Sequence, residues 1–335
     1  EKEMLQQKNR SRAATAIDTG DWIQVTEDAE TKFVGYTQME TNSTIIKYRH
    51  VKAKGKEAYQ WVLSETPFYA ESGGQVGDIG TIVGPHGVLA VVDTNFALPG
   101  LRRHICERVS GEVNEGDVVT ARIDVDARTA TRRNHTGTHV LHWALRSVLG
   151  EHVKQAGSLV SPDRLRFDFS HYEAVTPEEI EKIETLANAQ VLLNAPVTAT
   201  ESSKDEALAA GAIAFFGDKY GDIVRVLEAG VSVELCGGTH VAALGDIGMV
   251  KVVAESSIGS NLRRIEAVTG TNAVEYVLSH HRTISAAASL LGAQPSELVA
   301  AIQRKIEENK SLGDELKALR SAQATSRASE MVASA

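Results

Sequence analysis

Residues 134–142 read NHTGTHVLH and carry two histidines that stand four positions apart. Residues at this spacing lie on one face of an α-helix, so His135 and His139 can direct their imidazoles at a single metal ion. We expect Asn134 to cap this helix, the apolar residues after it to pack, and Gly150 to end it. Helical histidine pairs also occur in cores and on surfaces, so the pair alone leaves a metal site and a packed pair both open.

A second short motif lies about 100 residues further on, where residues 234–240 read ELCGGTH. Cys236 and His240 are four positions apart, and the two glycines between them favour a tight loop that can wrap around a bound ion. Two histidines from a helix, with one cysteine and one histidine from a loop, make a donor set that suits tetrahedral Zn²⁺. The alternative is a buried free cysteine near an unrelated histidine.

The residue after the first histidine indicates which chemistry such a zinc site would not perform. A metalloprotease helix carries a glutamate there as general base, whereas this chain has Thr136, so peptide hydrolysis is not predicted. Four protein ligands are typical of a closed structural site. Thr136, Thr138 and Thr239 nevertheless add hydroxyls that could hold a small polar ligand, although the same hydroxyls could equally cap the helix and the loop.

A glycine-rich segment at residues 66–78, TPFYAESGGQVGD, is a further candidate for ligand contact. Gly73 and Gly74 allow the backbone to approach a ligand closely, and Gln75 adds a polar side chain beside them. The alternative is a long hairpin connection with no role in binding.

Composition narrows the class of protein. The chain has 335 residues, 42% of them hydrophobic, and no apolar run long enough to span a membrane. Only two cysteines are present, so no disulfide framework is predicted and a reduced, cytoplasmic location is expected. A net charge of −9 argues against a chain that coats nucleic acid, but it leaves room for local basic patches.

The hydrophobic patterns predict an α+β fold in four segments. Residues 1–19 read as a linker helix, and residues 20–126 as short strands between turn signals, which is typical of a small β-barrel. Residues 127–270 predict a two-layer α+β domain that contains the zinc site, with a second helix starting at Thr176. Residues 271–335 predict a helical arm with a heptad seam, as found in helical hairpins and dimer contacts.

Taken together, the motifs resemble the editing region of bacterial alanyl-tRNA synthetases. They are FYAESGGQVGD at 68–78, RNHTGTH followed by a further histidine at 133–142, ELCGGTH at 234–240 and RRIEAVTG at 263–270. Free-standing Ala-tRNA editing proteins and the editing domain of threonyl-tRNA synthetase share the HxxxH and CxxxH parts. The resemblance covers essentially the whole chain. It implies an internal fragment without the class II catalytic core, which precedes this segment in the family, and without the C-terminal globular domain.

The resemblance implies hydrolysis of the ester bond in Ser-tRNA(Ala) or Gly-tRNA(Ala). An alanine pocket cannot strongly reject a smaller side chain or one with an added hydroxyl, so a second site must remove the errors. It also implies one Zn²⁺ per chain and catalytic positions in the editing pocket. The implied zinc ligands are His135, His139, Cys236 and His240, and the implied catalytic positions are Thr138 and Gln155. ATP and Mg²⁺ would be needed only by the missing domain that ligates alanine to tRNA(Ala).

We expect the partner to be the acceptor end of a mischarged tRNA(Ala), with no membrane involved and a homodimer through the helical arm left open. The candidate pocket and tRNA contacts are Gly73, Gly74, Gln75, Thr136, Thr239, Arg263 and Arg264. Arginines at 102–103 and 128–133 are further candidates for phosphate contacts. Glu234 and Asp168 are candidate general bases by their proximity to the motifs.

Two other functions remain open at this stage. A non-catalytic, zinc-stabilised module for tRNA binding or dimerisation would share every predicted ligand. A stand-alone trans-editing protein would fit the editing core, but it is disfavoured because the chain begins inside a predicted helix and continues into a long arm.

Overall fold

The structure, a computed structural model, describes residues 18–26, 31–53, 56–214 and 221–333, which form a mixed α+β fold. The predicted linker helix lies outside the described residues except for its last two positions, which form a short strand.

Two compact units are present, Glu1–Ala273 and Val274–Ala335. The strands are β1 (Asp18–Thr19), β2 (Ile23–Gln24), β3 (Lys32–Phe33), β4 (Glu40–Ala53), β5 (Lys56–Leu63), β6 (Glu65–Thr66), β7 (Gly80–Val83), β8 (Gly87–Leu98), β9 (Leu101–Gly111), β10 (Val118–Ile123), β11 (Gln155–Val160), β12 (Leu165–Ser170), β13 (Val197–Ser203), β14 (Ile223–Ala229), β15 (Ser232–Leu235), β16 (Val250–Gly259) and β17 (Leu262–Thr269). The α-helices are α1 (Val125–Leu149), α2 (Pro177–Leu193), α3 (Lys204–Ala209), α4 (Gly270–Leu290) and α5 (Leu298–Ala333).

Six antiparallel strands close into a barrel, which confirms the prediction from the strand pattern. Their order is β4-β10-β7-β8-β9-β5, and β5 pairs again with β4 to complete the ring. Alternate side chains fill the interior with an apolar cluster that includes Ile45, Leu89 and Val119. His104 lies fully buried there; its Nδ1 donates to the carbonyl oxygen of Trp61 at 2.9 Å.

The histidine helix is longer than the sequence predicted. α1 begins at Val125, where the Asp124 side chain accepts a hydrogen bond from the Ala127 N–H and so caps the first turn. The prediction that Asn134 caps the helix is therefore wrong. Asn134 is buried in mid-helix, and its amide donates to the carbonyl oxygen of Ser161 at 2.7 Å. The predicted end at Gly150 is confirmed.

Two antiparallel sheets contribute to the core formed with α1 and α2. One has the strand order β11-β12-β17-β16 and the other β13-β14-β15. α2 begins with the predicted capping box, in which Thr176 and Glu179 each bond the other's backbone N–H. Leu141 of α1, Phe167 of β12 and Ile183 of α2 belong to one buried cluster, so helices and sheet share a core.

A buried ion pair joins α1 to the segment that precedes β7. The guanidinium of Arg128 pairs with the carboxylate of Asp78 and also donates to the carbonyl oxygens of Gly35 at 2.6 Å and Pro67 at 2.9 Å. Arg128 is 1% exposed, so its assignment to a phosphate-binding face is wrong. It holds the barrel side and the helix together instead.

The second unit is helical, as predicted for the arm. It comprises most of α4 and all of α5, joined through a 3₁₀ turn at Pro295–Glu297. Among the described helices, none combines the length and apolar character that a membrane crossing requires.

Candidate metal centre

Four side chains from α1 and from the loop after β15 converge at one point. The metal-binding atoms of these residues all lie within 4.8 Å of one another, and the residues are the four predicted ligands, His135, His139, Cys236 and His240. The Sγ of Cys236 lies 3.4 Å from Nε2 of His135 and 3.3 Å from Nε2 of His240. The spacing of four along the helix and the turn made by the GGTH loop therefore bring both halves of the motif together.

Each of the three histidines has a side-chain oxygen acceptor within hydrogen-bonding distance of its Nδ1 atom, on the ring edge away from the shared centre. The pairs are His135 with Gln75 Oε1 at 2.8 Å, His139 with Glu234 Oε2, and His240 with Thr136 Oγ1 at 3.2 Å. This arrangement fixes the tautomer and leaves the Nε2 atoms to act as ligands, as in known metal sites. The Nε2 atom of His139 is buried and has no hydrogen-bond partner among the described residues. The residues present therefore fit a zinc ion.

The charges at the centre also suit a cation. Burial raises the pKa of Cys236, but the imidazoles of His135, His240 and His139 outweigh it and hold the pKa well below that of an ordinary thiol. Burial lowers the pKa of His240 to about 3, so this ring is neutral. Burial disfavours the charged form of His139, but Glu234 and Cys236 outweigh it and raise its pKa to about 10, so an ion that binds here would displace a proton from this ring. Thiolate sulfur and imidazole nitrogen are donors that Zn²⁺ takes.

The GGTH loop is shaped by one arginine and one glycine. Arg225 donates from β14 to the carbonyl oxygens of Cys236 at 3.1 Å and Gly238 at 2.9 Å, which holds the loop in its turn. Gly238 faces the imidazole of His135 directly, and an added Cβ would lie 2.0 Å from its Cε1 atom. Only glycine fits at this position.

Gln75, Thr136 and Thr239 form the layer behind the ligands. All three are at most 1% exposed. The side-chain oxygen of Gln75 accepts from the Thr239 N–H at 2.9 Å, and Thr136 Oγ1 accepts from the Val241 N–H at 3.2 Å. These residues position the metal ligands and do not face open space.

Thr138 and Gln155 line a small cavity of about 30 Å³ on one side of the ligands, together with His139 and Cys236. The Thr138 hydroxyl donates to the carbonyl oxygen of Asn134 at 2.8 Å, so toward a ligand it can act only as an acceptor. The sequence left open whether this hydroxyl serves the helix or a ligand, and the geometry allows it to serve both.

A larger cavity of about 570 Å³ adjoins the small one and shares His135 and Cys236 with it as lining residues. Gly73 and Gly74 also line the larger cavity. Its barrel-side wall consists of Tyr36, Tyr69, Phe96 and Arg102. Tyr36 also donates its hydroxyl to the carbonyl oxygen of Gly237 at 2.7 Å, which ties the barrel side to the metal loop.

Comparisons of the sequence with protein-family models and with known proteins identify the family of the chain. The family model for "tRNA synthetases class II (A)" matches residues 1–127, and the model for the "Threonyl and Alanyl tRNA synthetase second additional domain" matches residues 224–266, which contain Cys236 and His240. The chain is 49% identical over 311 residues to the alanine–tRNA ligase of Bacteroides fragilis, and it is 44% identical over 334 residues to that of Burkholderia mallei. The chain belongs to the alanyl-tRNA synthetase family. These alignments cover 92% and 98% of this chain but only 35% and 38% of the respective ligases, so the chain spans little more than a third of their length.

Two of the arginines predicted to contact tRNA, Arg263 and Arg264, take carboxylate partners in this member of the alanyl-tRNA synthetase family. Arg263 makes a two-point ion pair with Glu255 at 2.6 and 2.7 Å. Arg264 makes a similar pair with Asp168 at 2.7 and 2.8 Å. A phosphate would have to compete with these carboxylates.

The sequence pointed to part of the barrel-side wall, because Tyr69 lies in the glycine-rich segment 66–78 and Arg102 was a candidate phosphate contact, but it gave no signal for Tyr36 or Phe96. Tyr36 lies in the turn after β3, and Phe96 and Arg102 lie on neighbouring strands of the barrel, far from the metal ligands along the chain. Tyr36 contacts the GGTH loop through its bond to the carbonyl oxygen of Gly237, which lies 201 positions further along the chain. A single sequence gives no signal for such a contact.

Proposed function

We propose that this chain is the editing part of an alanyl-tRNA synthetase, which hydrolyses the ester bond of Ser-tRNA(Ala) and Gly-tRNA(Ala) in a zinc-dependent reaction. The observation that carries the proposal is the convergence of the four ligands beside two cavities, one small and one large. The small cavity has room for an amino-acid side chain of minimal size, and the large one has room for what the ester is attached to.

The chain's residues suggest how wrong amino acids are selected. In the proposal, Thr138 accepts a hydrogen bond from the hydroxyl of a misattached serine, and Gln155 supplies an amide to the same small cavity. Alanine offers a methyl group where serine offers this donor, so its ester gains no such bond. When bound, zinc would supply a Lewis acid that polarises the ester carbonyl or lowers the pKa of a water molecule.

The two candidate general bases are already engaged. Glu234 accepts from His139 and from His142, and Asp168 is paired with Arg264. We therefore propose that neither takes the proton of the attacking water. Instead, the free hydroxyl of the terminal ribose relays it: this hydroxyl accepts the proton from the water and passes its own proton to the neighbouring ribose oxygen, which leaves as the ester C–O bond breaks. Glu234 instead positions His139.

The test is deacylation of Ser-tRNA(Ala) by the wild-type chain, a Gln155→Ala variant and a Cys236→Ala variant, with Ala-tRNA(Ala) as the reference substrate. Zinc content is measured on every preparation. We expect the wild type to hydrolyse the seryl ester much faster than the alanyl ester, Cys236→Ala to lose metal and activity together, and Gln155→Ala to lose activity with zinc retained. Unchanged deacylation by a zinc-loaded Gln155→Ala variant would contradict the proposed part of Gln155 in substrate recognition.

One observation favours a second candidate, a non-catalytic zinc-stabilised module that binds tRNA or dimerises. Four protein ligands complete a tetrahedral set, which is typical of structural zinc. The same assay separates the two functions, because a zinc-loaded wild type that binds tRNA(Ala) without cleaving Ser-tRNA(Ala) would be such a module. A stand-alone trans-editing protein remains the other alternative.

The wider setting is also part of the proposal. For a full-length protein we propose ligation of alanine to tRNA(Ala), following the name of the relatives; among the described residues nothing argues for ATP or Mg²⁺. We propose a cytoplasmic location because Cys106 and Cys236 are both free thiols. A homodimer, which the sequence left open, would use exposed heptad positions of α5, and light scattering of the chain would test it. These positions are Ile302, Leu312, Leu316 and Leu319.

A further inference from the structure

Arg102 places a positive charge at the wall of the large cavity, where its described contacts are with aromatic rings and none is with an anion. Its guanidinium lies over the rings of Phe33 and Phe96, with centroid distances of 4.4 and 5.4 Å. Across the part of the chain that the structure describes, the guanidinium makes neither a hydrogen bond nor an ion pair, and its Nε atom is buried. Because a partly buried charge without a partner is costly, its position calls for an anion from outside the chain.

The neighbouring arginine on β9 shows the contrast. Arg103 gives two hydrogen bonds to the side-chain oxygen of Asn95, at 2.9 and 2.7 Å, and one to Gln60 at 3.2 Å. Its guanidinium is therefore satisfied within the barrel, and it does not line the cavity. Of the two adjacent cations, Arg102 is the one that is left for a ligand.

The rest of the cavity indicates what the ligand carries besides an anion. The rings of Tyr36, Tyr69 and Phe96 form its wall, and no lysine, aspartate or glutamate is among its described lining residues. Aromatic rings hold a nucleobase by stacking, and a guanidinium holds a phosphate through paired N–H donors. A volume of about 570 Å³ lies in the range of small-ligand sites.

The cavity also has a fixed relation to the metal centre, since His135 and Cys236 form part of its lining. If the ester is cleaved at the metal, the ribose that carries it enters this space with its own base and phosphate. We propose that Arg102 holds the 5′-phosphate of the 3′-terminal nucleotide of the tRNA in this cavity, with the base against the exposed rings of Tyr36 and Phe96. This inference rests on the proposed editing function and names the part of the substrate that the barrel recognises.

A binding experiment tests the inference without relying on hydrolysis. Adenosine 5′-monophosphate and adenosine are titrated into the zinc-loaded wild type and into Arg102→Ala and Arg103→Ala variants, with affinities measured by calorimetry. We expect the wild type to bind the monophosphate tighter than the nucleoside by on the order of 10- to 100-fold, the size of a charge-assisted contact. Arg102→Ala should bind both equally, and Arg103→Ala should keep the preference. Failure of the wild type to bind the monophosphate at millimolar concentration, or loss of the preference in Arg103→Ala alone, would overturn the assignment.

A kinetic experiment connects the same residue to editing. Deacylation is compared for Ser-tRNA(Ala) and for a 3′-O-seryl adenosine that lacks the phosphate. Arg102→Ala should raise KM for the tRNA substrate and leave kcat/KM for the nucleoside ester unchanged, and Arg102→Lys should fall between the wild type and the alanine variant. Equal losses on both substrates would overturn the phosphate contact. Absence of all deacylation by the wild type would count against the editing function, whereas the binding result would still judge the nucleotide site.

Discussion

Gly238 and His135 touch so closely that the glycine has no room for any side chain. A Cβ at Gly238 would lie 2.0 Å from Cε1 and 2.4 Å from Nδ1 of the His135 imidazole. Its neighbour Gly237 has open space in the same direction, with nothing within 4 Å of an added Cβ. The two glycines of the GGTH loop are therefore not equivalent.

We predict that Gly238→Ala pushes His135 out of place and weakens zinc binding by at least about 10-fold, the scale on which displaced ligand partners act. Gly237→Ala is the matched control and should keep the affinity of the wild type. Competition with a chromophoric chelator measures both affinities, and circular dichroism checks the fold. Equal affinities for the two variants would contradict the predicted clash.

The two threonines of the histidine helix should separate metal binding from substrate recognition. Thr136→Val removes the oxygen that holds Nδ1 of His240, so zinc affinity should fall by about 10- to 100-fold. Thr138→Val removes a hydroxyl whose bond within the chain is to Asn134, so zinc affinity should hold while the preference for Ser-tRNA(Ala) over Ala-tRNA(Ala) declines. Chelator competition and paired deacylation assays provide the two measurements. The assignment fails if Thr138→Val loses zinc as readily as Thr136→Val.

The buried pair between Arg128 and Asp78 should dominate the electrostatic contribution to stability. Arg128→Met leaves the Asp78 carboxylate buried without its cation, and we expect a loss of about 3–5 kcal/mol in the free energy of unfolding. Arg122→Met is the control, because Arg122 and its partner Glu40 are 60% and 48% exposed and such pairs contribute about 0–1 kcal/mol. Urea unfolding of both variants gives the comparison. Similar losses of unfolding free energy in the two variants would show that burial does not determine how much an ion pair stabilises this protein.

His104 should make the barrel sensitive to acid. Burial lowers its pKa from 6.5 to about 4, against the opposing effect of its bond to the Trp61 carbonyl. Between these two pKa values the imidazole is protonated in the unfolded chain and neutral in the folded one. The free energy of unfolding therefore decreases as the pH falls from about 6.5 to about 4, by up to roughly 3 kcal/mol.

A His104→Asn variant should be less stable at neutral pH, because it loses a bond to Thr66 or Trp61. Its stability should decline less than that of the wild type between pH 7 and pH 5. The comparison uses the difference between the two proteins, since acid also protonates the metal ligands and that contribution cancels. Identical slopes would show that His104 is not the responsible group.

Local patterns carried most of what the sequence could predict. The spacing of four in HTGTH and in CGGTH corresponds to one helical turn and one tight loop, so both ligand pairs can be recognised from the order of the residues alone. The capping box at Thr176 and the closing glycine at Gly150 are equally local. These features depend on neighbours in the chain, which a single sequence displays.

What the sequence could not predict depends on contacts between distant segments. Asn134 is a good cap by residue type, but Asp124 outcompetes it because the helix continues upstream through residues whose periodicity was not recognised. Arg128 has the residue type of a surface cation, but Asp78 and two carbonyl groups surround it in the fold. Arg102 was a candidate phosphate contact by residue type, but its placement over the rings of Phe33 and Phe96, at the wall of the cavity, is a property of the fold.

The hydrogen bond from His135 to Gln75 crosses the boundary that the sequence drew between a barrel at 20–126 and an editing core at 127–270. A chimera that takes these two segments from different relatives would therefore mix the metal ligands of one parent with the supporting layer of the other. A swap of either segment should therefore take residues 72–78 and α1 from the same parent. We expect such a hybrid to bind zinc as well as its parents only when Gln75 and His135 come from the same parent.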